Sequence, residues 1–359
     1  MLIELDKAIE IREGQSLKID SLETYLRNAM ELPEADLKVL QFPSGYSNLT
    51  YLLKFGKLEL VLRRPPKGAK IKSGHDMGRE FRILSGLHPI YNKAPKPFLY
   101  CDDQTVIGAP FYIMERMQGV IFRGHTPKIQ LPEPNQMRNL SEAFVSTLAE
   151  IHSLDYNAAG LQTLGRPQGY IRRQIEGWTK RYINSKTDNF ESIEKMYTWL
   201  NNNIPTEQRN TFIHNDFKYD NLILSKDGSF DIKGVLDWEM ATLGDPLMDL
   251  GTTLGYWIEE SDPDFMKENS MNITLVKGNL TRSELVELYA KKSNIEMINI
   301  PFYYVFGLFK IAVIIQQIYL RYKKGFTTDI RFKNLNQAVQ MYGKMGVQAF
   351  QKNKIDNLY

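Results

Sequence analysis

Three side chains near the middle of the chain carry oxygen chemistry: Asp216 within Phe212-Ile213-His214-Asn215-Asp216-Phe217-Lys218-Tyr219-Asp220-Asn221, Asn221 at its end, and Asp237 opening Asp237-Trp238-Glu239. Asn221 and Asp237, a carboxamide and a carboxylate, suit a hard cation such as Mg²⁺, which takes oxygen ligands and keeps positions for water and phosphate oxygens. Asp216 is left for a substrate, as a carboxylate that accepts a hydroxyl proton and orients the oxygen for in-line attack. Together the three suit phosphoryl transfer. One Asp alone would carry no such meaning, since Asp and Asn are common at turns and strand ends.

For these groups to meet, the chain between them must double back. Residues 222–236 hold two apolar runs around Asp227-Gly228, the dipeptide that favours positive φ in a two-residue type I′ turn. A hairpin centred there puts Asn221 and Asp237 at one open end, within a few residues of opposite register, and Asp216 arrives on the preceding loop.

Upstream, Asp20-Ser21-Leu22-Glu23 predicts an N-cap with its reciprocal acid, opening a helix with Leu22, Leu26 and Met30 on one face and Pro33 beyond its end. Short strands are expected over 39–42, 50–55 and 58–62, with the loop 43–48 between the first two. In 58–64 the period of two places Val61 and Arg63 on one face and Leu60, Leu62 and Arg64 on the other. Residues 78–87 predict a helix burying Phe81, Leu84 and Leu87. A strand over 111–117 stops at Gly119, and the proline-bearing stretch 127–135 predicts a loop. Helical spacing then recurs in Met137, Leu140, Phe144, Leu148 and Ile151, in Ile171, Ile175, Trp178 and Tyr182, and in Ile193, Met196, Tyr197 and Leu200. His152, closing the first of these, is expected to be structural. Thr281-Arg282-Ser283-Glu284 is a capping box for a helix carrying Leu285, Leu288 and Tyr289.

Composition narrows the class. A chain of 359 residues suits about two domains, and 43% hydrophobic with 24% charged residues is ordinary for a globular protein. The balance of 45 basic against 42 acidic residues leaves +3, with no basic block interleaved with aromatics, so nucleic acid is not an expected partner. The lone Cys101 forms no internal disulfide and is expected to pack rather than react. The first residues, Met1-Leu2-Ile3-Glu4-Leu5-Asp6-Lys7, show no apolar signal region, which makes a cytoplasmic protein the expectation. The stretch 301–320 has the length of a membrane span, but Lys310, Gln316 and Gln317 argue for a buried helix, since a mid-span Lys costs about 3 kcal/mol of insertion. No membrane association is expected.

The spacing His-x-Asp, four residues, Asn, then an Asp-led triplet resembles the catalytic core of the eukaryotic-type kinase superfamily. His214-Asn215-Asp216 and Asp237-Trp238-Glu239 both depart from the protein-kinase forms in the manner of the aminoglycoside phosphotransferase family. The continuation Met240-Ala241-Thr242-Leu243-Gly244-Asp245-Pro246-Leu247-Met248-Asp249-Leu250 is similar to the branch that includes kinase-like domains fused to acyl-CoA dehydrogenases. This resemblance covers about residues 37–320. It implies an α+β, bilobal protein-kinase-like fold: a small β-rich N-lobe (1–118) binding nucleotide and a larger, mostly helical C-lobe (119–359).

The resemblance also implies roles. Ser44, Gly45, Ser47 and Asn48 would cover the phosphates of ATP, or GTP, and Val61 would line the adenine pocket. Arg63 stands where kinases carry a strand lysine, leaving open whether Arg63 or Arg64 meets phosphate, and Glu80 would pair with it. The backbone of Glu115 to Met117 would bond the adenine edge. His214 would support the catalytic loop, Lys218 would offset charge on the transferring phosphoryl, and Asp245 and Asp249 would brace the loop.

The function expected is a small-molecule kinase acting on a small hydroxylated substrate. A polycationic aminoglycoside needs an acidic pocket, for which Glu239 and residues 259–264 are candidates; an anionic hydroxyacyl thioester needs a basic rim, such as Arg321-Tyr322-Lys323-Lys324 or Lys291-Lys292. The net charge and the dehydrogenase-linked branch favour the non-antibiotic reading, with a separate acyl-CoA dehydrogenase-type protein as a partner in the pathway. The alternatives are an aminoglycoside O-phosphotransferase, a nucleotide-binding regulatory module without turnover, and a hydrolase using His214 and Asp216 on a transition metal, the last disfavoured by the absence of further His or Cys at ligand spacing.

Overall fold

The computed structural model describes residues 7–43, 48–66, 75–327 and 329–359. In chain order it carries α1 (Ile19–Ala29), β1 (Leu37–Gln41), β2 (Leu49–Phe55), β3 (Leu58–Arg64), α2 (Met77–Leu87), β4 (Pro97–Cys101), the one-turn α3 (Gln104–Ile107) and β5 (Phe111–Glu115). Then follow α4 (Pro134–Ser153), α5 (Tyr170–Ser185), α6 (Glu191–Asn202), β6 (Thr211–Ile213), β7 (Leu222–Leu224), β8 (Ile232–Val235), β9 (Thr242–Gly244), α7 (Pro246–Gly255), α8 (Asp264–Glu268), α9 (Arg282–Ser293), α10 (Ile300–Lys323) and α11 (Leu335–Lys352). A sheet-rich beginning and a helix-rich remainder give the expected α+β class. The chain divides into two compact units, one of Met1–Ile121, Asn157–Leu161 and Asn221–Ala241, the other of Phe122–Tyr156, Gln162–Asp220 and Thr242–Tyr359. This differs from a single cut between 118 and 119, because the β7–β8 hairpin joins the first unit.

In the first unit five antiparallel strands run in the order β1-β2-β3-β5-β4. One face is closed by α1, whose Leu22 and Leu26, four apart and buried, pack with Tyr51, Leu53, Leu60, Leu62, Phe111 and Ile113. Cys101 is buried in the same cluster, as expected. The expected cap at Asp20 is not found: the helix starts at Ile19, Lys18 gives no side-chain cap, and Asp20 lies in the first turn, where its charge faces the helix's positive end. On α2, Ile83, Leu84 and Leu87 are buried while Phe81 stays half-exposed against Tyr100, so the buried stripe is rotated from the expected one.

The β7–β8 hairpin forms with Leu222 opposite Val235 and Ile223 opposite Gly234, but its turn is not the two-residue kind. The Asp227 side chain accepts from the Ser229 amide at 3.0 Å and from Ser225 Oγ at 2.9 Å, and Ser225 N bonds Asp231 O, closing a longer loop. Asp227 binds its own backbone two residues on, the competing use of Asx side chains. Gly119 must be glycine: a Cβ there would lie 2.3 Å from the Leu224 carbonyl oxygen.

The second unit buries the apolar positions predicted for α4, α5 and α6, except that Tyr197 is half-buried. The capping box at Thr281 and Glu284 is present and opens α9. The stretch 301–320 lies within α10, long and apolar enough to cross a membrane, with 78% of its most apolar window buried inside the protein as a core helix is. Helix α10 crosses α7 at glycine: a Cβ on Gly307 would stand 1.9 Å from the Gly251 carbonyl oxygen, and one on Gly251 2.2 Å from that of Tyr303. Backbones meet there with no side chain between them.

Candidate active site

In the first unit the alternation along β3 sends Leu60 and Leu62 into the α1-covered core and Arg63 to the opposite face. Arg63 is buried, and its planar fork holds three carboxylates: Nη1 donates to Glu80 Oε1 at 2.7 Å, while Nη2 donates to Asp237 Oδ1 at 2.9 Å and to Glu239 Oε2 at 3.2 Å. Arg64 points the other way and donates to the carbonyls of Ile107 and Pro65, so of the two arginines only Arg63 belongs to this cluster. Burial pushes the Glu80 carboxyl upward and Arg63 opposes it; the surrounding acids hold the guanidinium charged. Helix α2 is aimed by Asp76, which caps it by accepting from the Arg79 amide. Arg79 in turn donates to the carbonyls of Glu239 and Ala241 at 2.9 and 2.5 Å.

Glu239 Oε2 also accepts from Asn48 Nδ2 at 2.5 Å, and Asn48 Oδ1 faces His75 Nδ1 at 3.0 Å. Ser44, Gly45 and Ser47, expected with Asn48 to cover phosphates, lie outside the described residues. Val61 sits opposite Met114 in the β3–β5 register, both buried. The Glu115 amide bonds the Lys96 carbonyl at 2.8 Å, as the last residue of β5. The Met117 carbonyl accepts from Arg116, and the Met117 side chain lies where a Cβ on Gly234 would stand.

Asn221 and Asp237 stand at the open end of the β7–β8 hairpin, where the Leu236 amide bonds the Asn221 carbonyl at 2.8 Å. Asp237 adopts the left-handed region at φ 66°, which Asp tolerates better than most residues. Among the described residues no group of three or more His, Cys, Asp or Glu is placed to hold a metal ion. One carboxamide and one carboxylate form the sparse oxygen set that suits Mg²⁺, an ion that keeps water and phosphate oxygens as its other ligands. Arg63 Nε, buried with no acceptor, leaves a donor beside them. The residues present therefore fit a magnesium nucleotide.

In the second unit β6 pairs with β9 and delivers the loop carrying His214, Asn215 and Asp216. Asp249, fully buried on α7, accepts from the His214 amide at 2.7 Å and from the Asn215 amide at 2.8 Å, and burial is outweighed by these bonds and by His152, so its carboxyl stays below the usual range. Asn215 is left-handed at φ 68°; its side chain accepts from Tyr170 Oη at 3.0 Å and its carbonyl from Lys310 Nζ at 2.7 Å. The Asp216 amide donates to His214 Nδ1 at 3.2 Å, the loop-supporting contact expected of His214. Lys218 Nζ lies 3.1 Å from Asp216 Oδ2, 3.8 Å from Asp220 Oδ2, and over the Tyr256 ring.

His152 is buried between Asp249 Oδ2 at 3.1 Å and Tyr289 Oη at 2.6 Å, a structural placement. Of the two acids expected to brace the loop, Asp249 does so; Asp245 caps α7 instead, accepting from the Leu247 amide at 2.8 Å. Two candidates for an acidic substrate rim are occupied. Glu239 is held by Arg63 and Asn48, while Glu259 and Asp262 are bound by the buried Arg282 at 3.0 and 2.6 Å. Sequence reasoning missed Arg282 and Lys310 as organising residues. The signal for Lys310 was a single cation among about twenty apolar residues, since a buried ammonium requires an acceptor.

A family model described as the phosphotransferase enzyme family matches residues 38–270. The chain is 34% identical over 318 residues to acyl-CoA dehydrogenase family member 10 of Mus musculus, covering 88% of this chain and 29% of that protein, so it spans less than a third of that relative. A crystal structure from Ralstonia eutropha, of a candidate aminoglycoside phosphotransferase, superposes with a TM-score of 0.79 at 28% identity, covering 94% of this chain and 99% of the other. A choline kinase from Cryptosporidium parvum, 12% identical with a TM-score of 0.58 over 91% of this chain and 98% of its own, shares the kinase-like fold.

Proposed function

This chain belongs to the phosphotransferase enzyme family, and from that premise we propose that it transfers the γ-phosphoryl of ATP, or GTP, to the hydroxyl of a hydroxyacyl thioester or similar anionic metabolite. Membership makes it a small-molecule phosphotransferase; the acceptor and the residue roles are the proposal. The observation that carries the roles is the Arg63 fork, which ties Glu80 on α2 to Asp237 at the end of the hairpin and so sets a fixed cation beside a metal-ligand pair.

In this reading Asn221 and Asp237 hold Mg²⁺, Arg63 meets phosphate oxygens, Val61 and the Glu115-to-Met117 segment receive the base, and Asn48 and its neighbours cover the phosphates. Bound Mg²⁺ supplies neutralisation of phosphate charge. The acceptor oxygen bonds to the γ-phosphorus, the bond from phosphorus to the departing diphosphate oxygen breaks, and the hydroxyl proton passes to Asp216. Lys218 offsets charge as it moves. Engagement of Glu239, Glu259 and Asp262 by arginines supports an anionic acceptor over a polycationic one. The relatives named for acyl-CoA dehydrogenases support a thioester acceptor, with a dehydrogenase-type protein acting nearby in the same pathway.

The test is Mg²⁺-dependent transfer of labelled γ-phosphate from ATP to a panel of hydroxyacyl-CoAs, sugars, amino alcohols and aminoglycosides. Labelling confined to hydroxyacyl-CoAs is expected, with Asp216→Asn lowering it by about 10²-fold or more while ATP affinity holds. Labelling of aminoglycosides, or full transfer by Asp216→Asn, would sink the reading.

A further inference from the structure

We propose that Lys310 is a positioning residue for Asp216, its buried ammonium fixing the Asn215–Asp216 peptide from below the loop. The inference rests on the phosphotransfer reading of Asp216. That peptide is gripped at both polar ends: its carbonyl, on Asn215, accepts from Lys310 Nζ at 2.7 Å, and its amide, on Asp216, donates to His214 Nδ1 at 3.2 Å. The preceding amide, of Asn215, is held by Asp249 Oδ1 at 2.8 Å. A left-handed residue flanked by three such bonds cannot turn its carbonyl away without losing the Lys310 contact, and turning it would swing the Asp216 side chain.

Lys310 is placed for this contact. It is buried on α10, a mostly apolar helix whose other buried polar side chains include Gln316, and its ammonium stands 5.7 Å from the Trp178 ring centroid on α5. The charged groups facing it are Asp216 and Lys218 on the loop, Asp249 on α7 and Arg181 on α5. Burial lowers the Lys310 pKa to about 8; Asp216 and Asp249 oppose the shift, while Lys218 and Arg181 add to it. The ammonium is therefore mostly present at pH 7, half lost near pH 8 and mostly absent by pH 9, in a range where an exposed lysine remains charged.

The experiment measures phosphate release from Mg·ATP with water as acceptor, as kcat and KM from pH 6.5 to 9.5, for the wild type, Lys310→Met, Lys310→Arg and Asp216→Asn. The expected wild-type kcat falls about tenfold with a midpoint near 8 while KM for ATP stays level. Lys310→Met is expected to be about tenfold or more slower at pH 7, without that falling limb, and Lys310→Arg to hold its kcat to higher pH. Folded Lys310→Met with wild-type kcat at pH 7, or with the limb intact, overturns the inference. If neither Lys310 variant folds, the wild-type profile decides: a flat kcat from pH 7 to 9.5 overturns it. Asp216→Asn separates the two readings. Should it turn over like the wild type, the phosphotransfer reading fails and takes this one with it; should it be inactive while Lys310→Met is normal, only the positioning role fails.

Discussion

Replacing Gly307 with alanine adds one methyl where α10 meets α7, and the structure sets the size of the result. The new Cβ would lie 1.9 Å from the Gly251 carbonyl oxygen and 2.7 Å from its carbon, about 1.5 Å short of ordinary contact. Neither atom is the end of a flexible side chain, so the helices must separate. Overpacking of this kind costs about 3 kcal/mol, which for a unit of this size lowers Tm by about 6–12 °C. The same separation reaches the loop that carries Asp216. Asp249 lies two residues before Gly251 and Lys310 three after Gly307, and they grip Asn215 through its amide and its carbonyl. Moving the two helices apart loosens that grip, and a misplacement near 1 Å costs about 10²-fold in turnover. Calorimetry together with kcat and KM for ATP reads both effects, and KM should move little. Gly177→Ala serves as control, because a Cβ there meets nothing nearer than 3.8 Å and alanine favours the helix interior. A Gly307→Ala protein melting within a degree or two of the wild type at full turnover would refute the reasoning.

Arg63→Lys replaces a fork that reaches three carboxylates with a single point charge, so ATP affinity measured by calorimetry should weaken about tenfold while the protein stays folded; unchanged affinity would remove Arg63 from the nucleotide site. Asp245→Asn addresses pH. Burial, with Oδ2 left without a hydrogen bond, pushes the Asp245 carboxyl up to about 6, so its contribution to stability is complete below pH 4 and is lost as the pH rises through 6. Asparagine keeps the helix cap without the charge, and should flatten the loss of Tm between pH 4 and 6 and raise stability at pH 7 by at most about 3 kcal/mol. An identical slope in the two proteins would exclude Asp245 as its source.

The candidate residues of the site could be picked out because their meaning lies in side-chain type and short spacing. His214, Asp216, Asn221 and Asp237 sit within one loop and one hairpin; strand alternation gave the face of Arg63, and its pairing with Glu80 came from the resemblance. Helical stripes in α4 and α5 were legible for the same reason, since their periodicity is local. What failed was decided by competition or by distance. Asp227-Gly228 fits a tight turn, but the Asp227 carboxylate prefers the Ser229 amide and the loop widens. Asp20 carries the chemistry of a cap, yet the helix begins one residue ahead of it. Glu239 had the charge for a substrate rim, and nothing near it in sequence announced that Asn48, 191 residues away, and Arg63, 176 away, would take it. Lys310 was visible as an oddity in an apolar run, and its partner, a backbone carbonyl, has no sequence signature at all.

Because the β7–β8 hairpin belongs to the first unit, that unit is unfinished when its sheet has emerged from the ribosome. The five strands and α2 emerge first, and with them only Glu80 to neutralise Arg63. Asp237 follows Arg63 by 174 residues, a wait of about 10–35 s at ordinary rates of synthesis. During that interval the guanidinium has one of its three carboxylates, and the Gly119 seat for the hairpin stands open. The first unit should therefore close late, after much of the second has been made. A fragment ending at 118 should accordingly behave as a nascent intermediate, prone to associate through the surface around Met117 and Tyr91 that the hairpin packs against.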